Sequence, residues 1–244
     1  MLPYFTVGTI HVFSYPLVLG LLFGFSFVYS RFLLELRNES LPFYPIYFLG
    51  CILFSWFGAK IFFLLSVDVE LATRAAVNEN FWLGGGFVFY GGLITGALFT
   101  VCYGVITKIS IKRFEFLIPV LLLSHGIGRL GCFLAGCCYG THSDLPWALD
   151  SINDGSLRHP TQLYEALILF LGHIIFLKRY RGKKPIILNY LLFYSITRFV
   201  LEFFRGDHIR GVYWYGVSTS QIISSCIFAS FLLFYTVNKM RDNA

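Results

Sequence analysis

Charge is what this chain has least of. Only 13% of its 244 residues are charged, about half the share of a soluble globular domain. Hydrophobic residues make up 57% and aromatic residues 19%. That balance excludes an ordinary soluble domain and reads as a polytopic membrane protein. No basic residue stands before the first apolar stretch: the first is Arg31, so no cleavable signal peptide is expected and the first stretch stays as a helix. The six cysteines contain no CxxC pair, and the zinc-site spacing rule gives no support. Cys51, Cys102 and Cys226 lie in apolar runs and read as small core hydrophobes. Cys132, Cys137 and Cys138 read as packing residues or as an exported disulfide. No metal and no cofactor is expected. Internal repeats, low-complexity tracts and linkers are also missing, so residues 1–244 read as one transmembrane domain.

Long apolar runs are abundant. Seven stretches approach the ~20 residues needed to cross a bilayer; they are centred in about 14–34, 44–66, 87–107, 115–137, 162–177, 186–204 and 217–237. The expected fold is an all-α integral membrane protein of about seven transmembrane helices. The connections at about 67–86 and 139–161 are longer than turns and form a small outer cap; the second is rich in Gly, Pro, Asp, Asn and Ser.

The few basic residues sort by side. With seven spans, one set of connections holds twelve: Arg31, Arg37, Lys108, Lys112, Arg113, Lys178, Arg179, Arg181, Lys183, Lys184, Lys239 and Arg241. The opposite set holds four: Arg74, Arg158, Arg205 and Arg210. Positive charge marks the cytoplasmic side, which predicts the N-terminus outside and the C-terminus in the cytoplasm. The net charge of +6 is then a topology signal, and no nucleic acid is expected as a partner.

Given that direction, the intramembrane polar residues gather at one face. Tyr15 opens the first helix and Lys60 lies in the outer half of the second. Tyr90 stands before Gly91–Gly92, and His125 and Arg129 are one helical turn apart among glycines. "RHPTQLYEA" brings His159, Gln162, Tyr164 and Glu165, while "YSITRFVLEFFRGD" brings Tyr194, Arg198, Glu202 and Arg205. Tyr194, Arg198 and Glu202 are four apart and share a helix face. An arginine in the hydrocarbon core costs roughly 3 kcal/mol or more and marks function by default. A guanidinium is a planar, permanently charged fork suited to phosphate, so two of them plus Lys60 suggest an anionic phospholipid headgroup. Structural readings stand beside this one. Arg198 and Glu202 also form a clamp, Lys60 has a stem long enough to snorkel, Tyr15 and Tyr90 suit an aromatic belt, and His159 suits a helix entry.

At these residues the chain resembles the bacterial phosphatidylglycerol–prolipoprotein diacylglyceryl transferases, over nearly its whole length. "FVFYGGLITG" is similar to the family's F-H-G-G-L-I-G and "GIGRLGCFLAG" to G-R-I-G-N-F-x-N-G. "RHPTQLYEA" is similar to H-P-S-Q-L-Y-E, "YSITRFVLEFFRGD" to Y-x-x-x-R-x-x-x-E-F-F-R, and "IHVFSYPLVLGLLFG" to the first-helix motif with its Tyr. The resemblance implies a seven-helix enzyme of the bacterial inner membrane, its site facing the outer leaflet. It implies transfer of diacylglycerol from phosphatidylglycerol to the lipobox cysteine of a preprolipoprotein, with a thioether formed and glycerol phosphate released. Arg129 and Arg198 become the essential arginines of the lipid site, and Tyr15, Tyr194 and Glu202 match further functional positions. Lys60 joins them as a lipid contact; His159, Gln162, Tyr164, Glu165 and Cys132 fall on the acceptor side or support the site.

Three positions depart from the family pattern. Its His before Gly-Gly is Tyr90 here, its Asn is Cys132 and its Glu is Cys137, within a Cys-rich "GCFLAGCCYG". Without that His, the candidates for the proton acceptor are His125, His159 and Tyr90, or no base at all beyond a thiol acidified by the arginines. His125 is expected to carry the activity. The competing functions are a transferase of the same fold with another acceptor, and a phospholipid-binding relative without catalysis. A transporter is disfavoured, because the polar residues stop in the outer half.

Overall fold

The computed structural model describes residues 4–7, 10–78, 81–82, 87–206 and 217–242. Arg210, Asp207 and the "GGG" end of the 67–86 connection lie outside them. A two-stranded antiparallel ribbon opens the chain, β1 (Tyr4–Val7) against β2 (Ile10–Phe13), in register Tyr4↔Phe13 and Thr6↔His11. The helices are α1 (Ser14–Leu36), α2 (Tyr44–Ser66), α3 (Val69–Ala76), α4 (Phe89–Thr107), α5 (Leu117–Ala135), α6 (Thr161–Arg181), α7 (Ile187–Leu201) and α8 (Thr219–Asp242). A 3-10 turn, Ile111–Phe116, leads into α5 and another, Glu202–Phe204, follows α7.

Six helices are long and apolar enough to cross a membrane: Ser14–Leu36, Tyr44–Ser66, Phe89–Thr107, Ile111–Ala135, Thr161–Arg181 and Ile187–Phe204. Within α8, Thr219–Leu233 is a shorter apolar seventh. Large apolar side chains stand on their outer surfaces, with Leu21, Leu65 and Ile106 exposed to 68%, 74% and 80%. In water so much apolar surface would be an aggregation hazard; in a bilayer it is solvated. The protein is a multi-pass integral membrane protein of about seven helices. The fifth span is longer than the 162–177 apolar run, mainly at its end, where Lys178, Arg179 and Arg181 continue the helix although hydropathy discounts them.

The contacts divide the chain into two compact units, residues 1–22 with 117–244, and residues 23–116. In the second, α2 packs on α4 through small residues: a Cβ on Gly92 would stand 2.9 Å from the Ser55 carbonyl oxygen, so only glycine permits this approach. Arg37 and Glu115, both buried, pair at 3.7 Å. In the first unit, α5 packs on α6 and α7 on α8. The connection after α5 is tied down by backbone hydrogen bonds: Gly140 N–H to the His159 carbonyl, Thr141 N–H to Phe204 and Gly206 N–H to Tyr139.

Candidate functional site

The polar residues of the first unit converge on the face between α5 and α6. His125 and Arg129 stack on α5, as their four-residue spacing requires. Both Gly126 and Gly131 serve the approach of neighbours: a Cβ on Gly126 would run into the Phe170 ring of α6, and one on Gly131 would press Val18 and Tyr15 of α1. Gly128 differs, having nothing within 4 Å among the described residues, so it does not serve close packing. From α6, Glu165 reaches both members of the stack. Its Oε2 is 3.0 Å from Arg129 Nε and its Oε1 3.5 Å from His125 Nε2. Arg129 is 8% exposed and Glu165 3%.

The stripe on α7 meets this cluster from the other side. The Tyr194 ring lies 5.6 Å from that of His125, tilted by 54°, and stacks on Tyr190 at 6.2 Å. Arg198 Nη2 pairs with Glu202 Oε2 at 2.7 Å and donates to Ser220 Oγ of α8 at 3.2 Å. Its Nη1 is buried with no hydrogen-bond partner among the described residues. A buried donor in that state is costly unless something accepts from it, and an anion would.

At the N-terminal end of α6, Gln162 Nε2 donates to the Cys137 carbonyl at 2.6 Å and Thr161 Oγ1 to the Cys138 carbonyl at 2.8 Å. Tyr164 takes a hydrogen bond from Trp147 Nε1 at 2.7 Å, and His159 Nδ1 lies 3.3 Å from the same hydroxyl. In the loop before α6, Arg158 grips Asp154 with two parallel hydrogen bonds, 2.7 and 2.6 Å. The guanidinium, with the Ser156 N–H, holds the Asp154 carboxyl well below the usual carboxylate range.

Of the sequence candidates, His125, Arg129, Glu165, Tyr194, Arg198 and Glu202 come together, with Tyr15 against Gly131 beside them. Gln162, at the start of α6, and Cys132, near the end of α5, stand by the turn after α5, and His159 and Tyr164 form their own group with Trp147. Lys60 and Tyr90 belong to the other unit. Lys60 is fully buried there, its ammonium donating to the Phe81 carbonyl and lying 4.3 and 3.9 Å from the Phe81 and Phe87 ring centroids; it is enclosed by aromatic faces and does not snorkel. Tyr90 is 3% exposed at the start of α4. Sequence reasoning missed Ser220 and Trp147, polar groups whose partners lie far along the chain, and it gave no sign that Glu165 bridges His125 and Arg129.

The family model described as prolipoprotein diacylglyceryl transferase matches residues 3–237. The chain belongs to that family. Among relatives, the phosphatidylglycerol–prolipoprotein diacylglyceryl transferase 2 of Clostridium perfringens is 34% identical over 194 residues, covering 75% of this chain and 74% of the relative. The transferase of Bordetella avium is 30% identical over an alignment of 258 residues, covering 97% and 94%. That of Aeromonas hydrophila is 31% identical over 242 residues, covering 91% and 84%. As a prolipoprotein diacylglyceryl transferase the chain is an enzyme, and its buried arginines with their carboxylates are the part of the first unit best suited to an anionic lipid.

Proposed function

We propose that the cluster of His125, Arg129, Glu165, Tyr194, Arg198 and Glu202 is where this transferase moves diacylglyceryl from phosphatidylglycerol to the lipobox cysteine of a preprolipoprotein. The observation that carries the reading is the state of the two arginines. Each is buried and fixed by a carboxylate through one nitrogen, Nε of Arg129 and Nη2 of Arg198. A guanidinium has five donors, so both retain N–H groups for a phosphate, among them the unpartnered Nη1 of Arg198.

The chemistry follows from that charge. The acceptor sulfur attacks the glyceryl carbon that bears the phosphate ester, the carbon–oxygen bond breaks, and glycerol phosphate leaves with the electron pair. Arg129 and Arg198 stabilise the departing phosphate with charge already in position, and their carboxylates keep the forks oriented. His125, beside Arg129 and linked to Glu165, takes the thiol proton. Gln162 and Cys132 by the turn after α5, with His159 and Tyr164, serve the acceptor side. Tyr15 contributes to the lipid contact. Lys60 enters the proposal on its charge, Tyr90 on the family resemblance, and the reading of residues 1–244 as one domain on the lack of repeats and linkers in the sequence. The enzyme sits in the bacterial inner membrane with the N-terminus outside and this cluster toward the outer leaflet, on the strength of the basic asymmetry.

The test is direct. Purified protein in phosphatidylglycerol vesicles is given a lipobox peptide, and the mass gain of a diacylglyceryl thioether is measured. A serine peptide is the control. Bound lipid without transfer would instead favour the non-catalytic relative.

A further inference from the structure

The end of α5 holds a feature that goes beyond the acceptor-side role proposed for Cys132 and Gln162. The helix closes in a Schellman turn: Gly136 adopts φ +71°, its N–H bonds to the Phe133 carbonyl at 3.2 Å, and the Cys137 N–H bonds to the Cys132 carbonyl at 3.1 Å. That motif brings the side chain after the turn onto the side chain three back from the helix end, where two apolar residues usually meet. Here the two are thiols, Cys137 and Cys132. The next residue, Cys138, is itself left-handed at φ +62°, a conformation uncommon for a side chain other than glycine and worth a functional reading. It turns the third thiol back toward the first two, and all three sulfurs lie within 4.8 Å of one another. Thr161 and Gln162 hold the carbonyls of Cys138 and Cys137 from the start of α6. The free amide oxygen of Gln162, Oε1, is buried with no partner among the described residues.

We propose that Cys132, Cys137 and Cys138 form a three-thiolate site for a thiophilic divalent cation of the zinc class, with its fourth position open. Zinc–sulfur bonds of about 2.3 Å in a tetrahedron set sulfurs about 3.8 Å apart, so the trio needs to close by no more than about 1 Å. The vicinal pair and the four-residue gap do not follow the CxxC pattern, and the turn does the work that spacing does elsewhere. A disulfide would consume two of the three thiols and leave the third, whereas one cation satisfies all three. Three thiolates around a divalent cation carry one net negative charge. Hydrogen bonds from Thr161 and Gln162 to the ligand-bearing backbone provide the outer support such sites require. The inference does not rest on the transferase reading.

The experiment uses the full-length protein, purified in detergent with a phosphine reductant, and reads metal rather than lipid transfer. Zinc content is measured after washing with a weak chelator, and cobalt(II) is titrated in as a spectroscopic probe. The expected result is about one zinc per chain and a sulfur-to-cobalt charge-transfer band of tetrahedral intensity. Cys132→Ser, Cys137→Ser and Cys138→Ser should each weaken cobalt binding by at least the ~10–100-fold that loss of an outer-shell partner costs. Cys226→Ser, on α8, should leave it unchanged. Because Cys132 is buried and its replacement risks misfolding, the exposed Cys137 provides the decisive variant. No retained zinc with no charge-transfer band overturns the proposal. So does a band that survives Cys137→Ser, or a disulfide between any two of the three found by mass spectrometry in protein isolated without reductant.

Discussion

Glu165 on α6 and Arg129 on α5 form a buried ion pair at 3.0 Å, and the same carboxylate lies 3.5 Å from His125. One acid therefore contacts both polar side chains of the α5 stack. Removing one partner of such a pair leaves the other uncompensated, which costs roughly 3–5 kcal/mol. Glu165→Gln keeps the shape and deletes the charge. It should lower the thermal midpoint in detergent by several degrees and cut transfer at least about tenfold. An unchanged midpoint with unchanged transfer would show that Arg129 does not depend on Glu165.

Arg129→Lys isolates geometry from charge. An ammonium is a compact point charge and cannot make two parallel hydrogen bonds. Loss of one well-aimed donor to a developing oxyanion costs about 10²–10³ in rate, so turnover on a lipobox peptide should fall by that order. The variant should still fold, since Glu165 retains a cationic partner. Near-normal turnover would reduce Arg129 to a structural residue.

How much of this could be read from residues alone depends on range. Local periodicity carries Arg198 with Glu202 and His125 with Arg129, because four residues is one helical turn, and both pairs are present. Hydropathy carries the spans for the same reason. What escapes is pairing between segments remote in sequence: Glu165 with Arg129, Arg198 with Ser220, Trp147 with Tyr164. No spacing encodes these, since they arise from which helix faces pack. The sequence groups Cys132, Cys137 and Cys138 as packing residues or a disulfide, but the meeting of all three sulfurs escapes it, because Gly136 and Cys138 create that meeting through backbone turns and left-handed residues leave only a faint mark in sequence. The ribbon of Tyr4–Val7 and Ile10–Phe13 and the short helix Val69–Ala76 are too brief for periodicity to show.

Orientation rests on charge and can be checked independently. Reporter fusions after Lys184 should read cytoplasm and fusions after Tyr139 should read exterior, given twelve basic residues on one side and four on the other. The reverse pattern would turn the whole site toward the cytoplasm.

The Asp154–Arg158 pair makes a prediction about pH. Asp154 has a depressed folded-state value, held down by the Arg158 guanidinium, against about 3.9 for an unfolded aspartate. Its contribution to loop order is therefore complete above about pH 4 and is lost only as pH falls toward the lower folded value. Hydrogen exchange of the 149–158 amides, corrected for intrinsic rates, should be flat from pH 8 to about pH 5. Asp154→Asn should raise it at every pH in that range. Protection that fades already between pH 7 and pH 5 would mean that another group holds the loop.

His125 carries the main mechanistic test, because by the resemblance drawn from the sequence Tyr90 takes the place of a histidine. The imidazole is in reach of Glu165 and against the Tyr194 ring, so it is both oriented and beside the arginines proposed to bind phosphate. If it accepts the thiol proton, His125→Ala should abolish thioether formation while phosphatidylglycerol still binds, since the lipid contacts are on Arg129 and Arg198. His125→Gln should fail in the same way: an amide hydrogen-bonds but does not carry a proton at neutral pH. The alternative is a thiol made acidic enough by the arginines. In that case both variants retain most of the rate, which rises with pH toward the thiol's own pKa. Single-turnover transfer on lipid-loaded protein, measured from pH 6 to pH 9 with each variant, separates the two. The expected outcome is loss of at least about 10²-fold in both variants, within the range general acid–base catalysis contributes, at unchanged lipid occupancy. A drop in occupancy together with rate would move His125 from proton transfer to lipid binding.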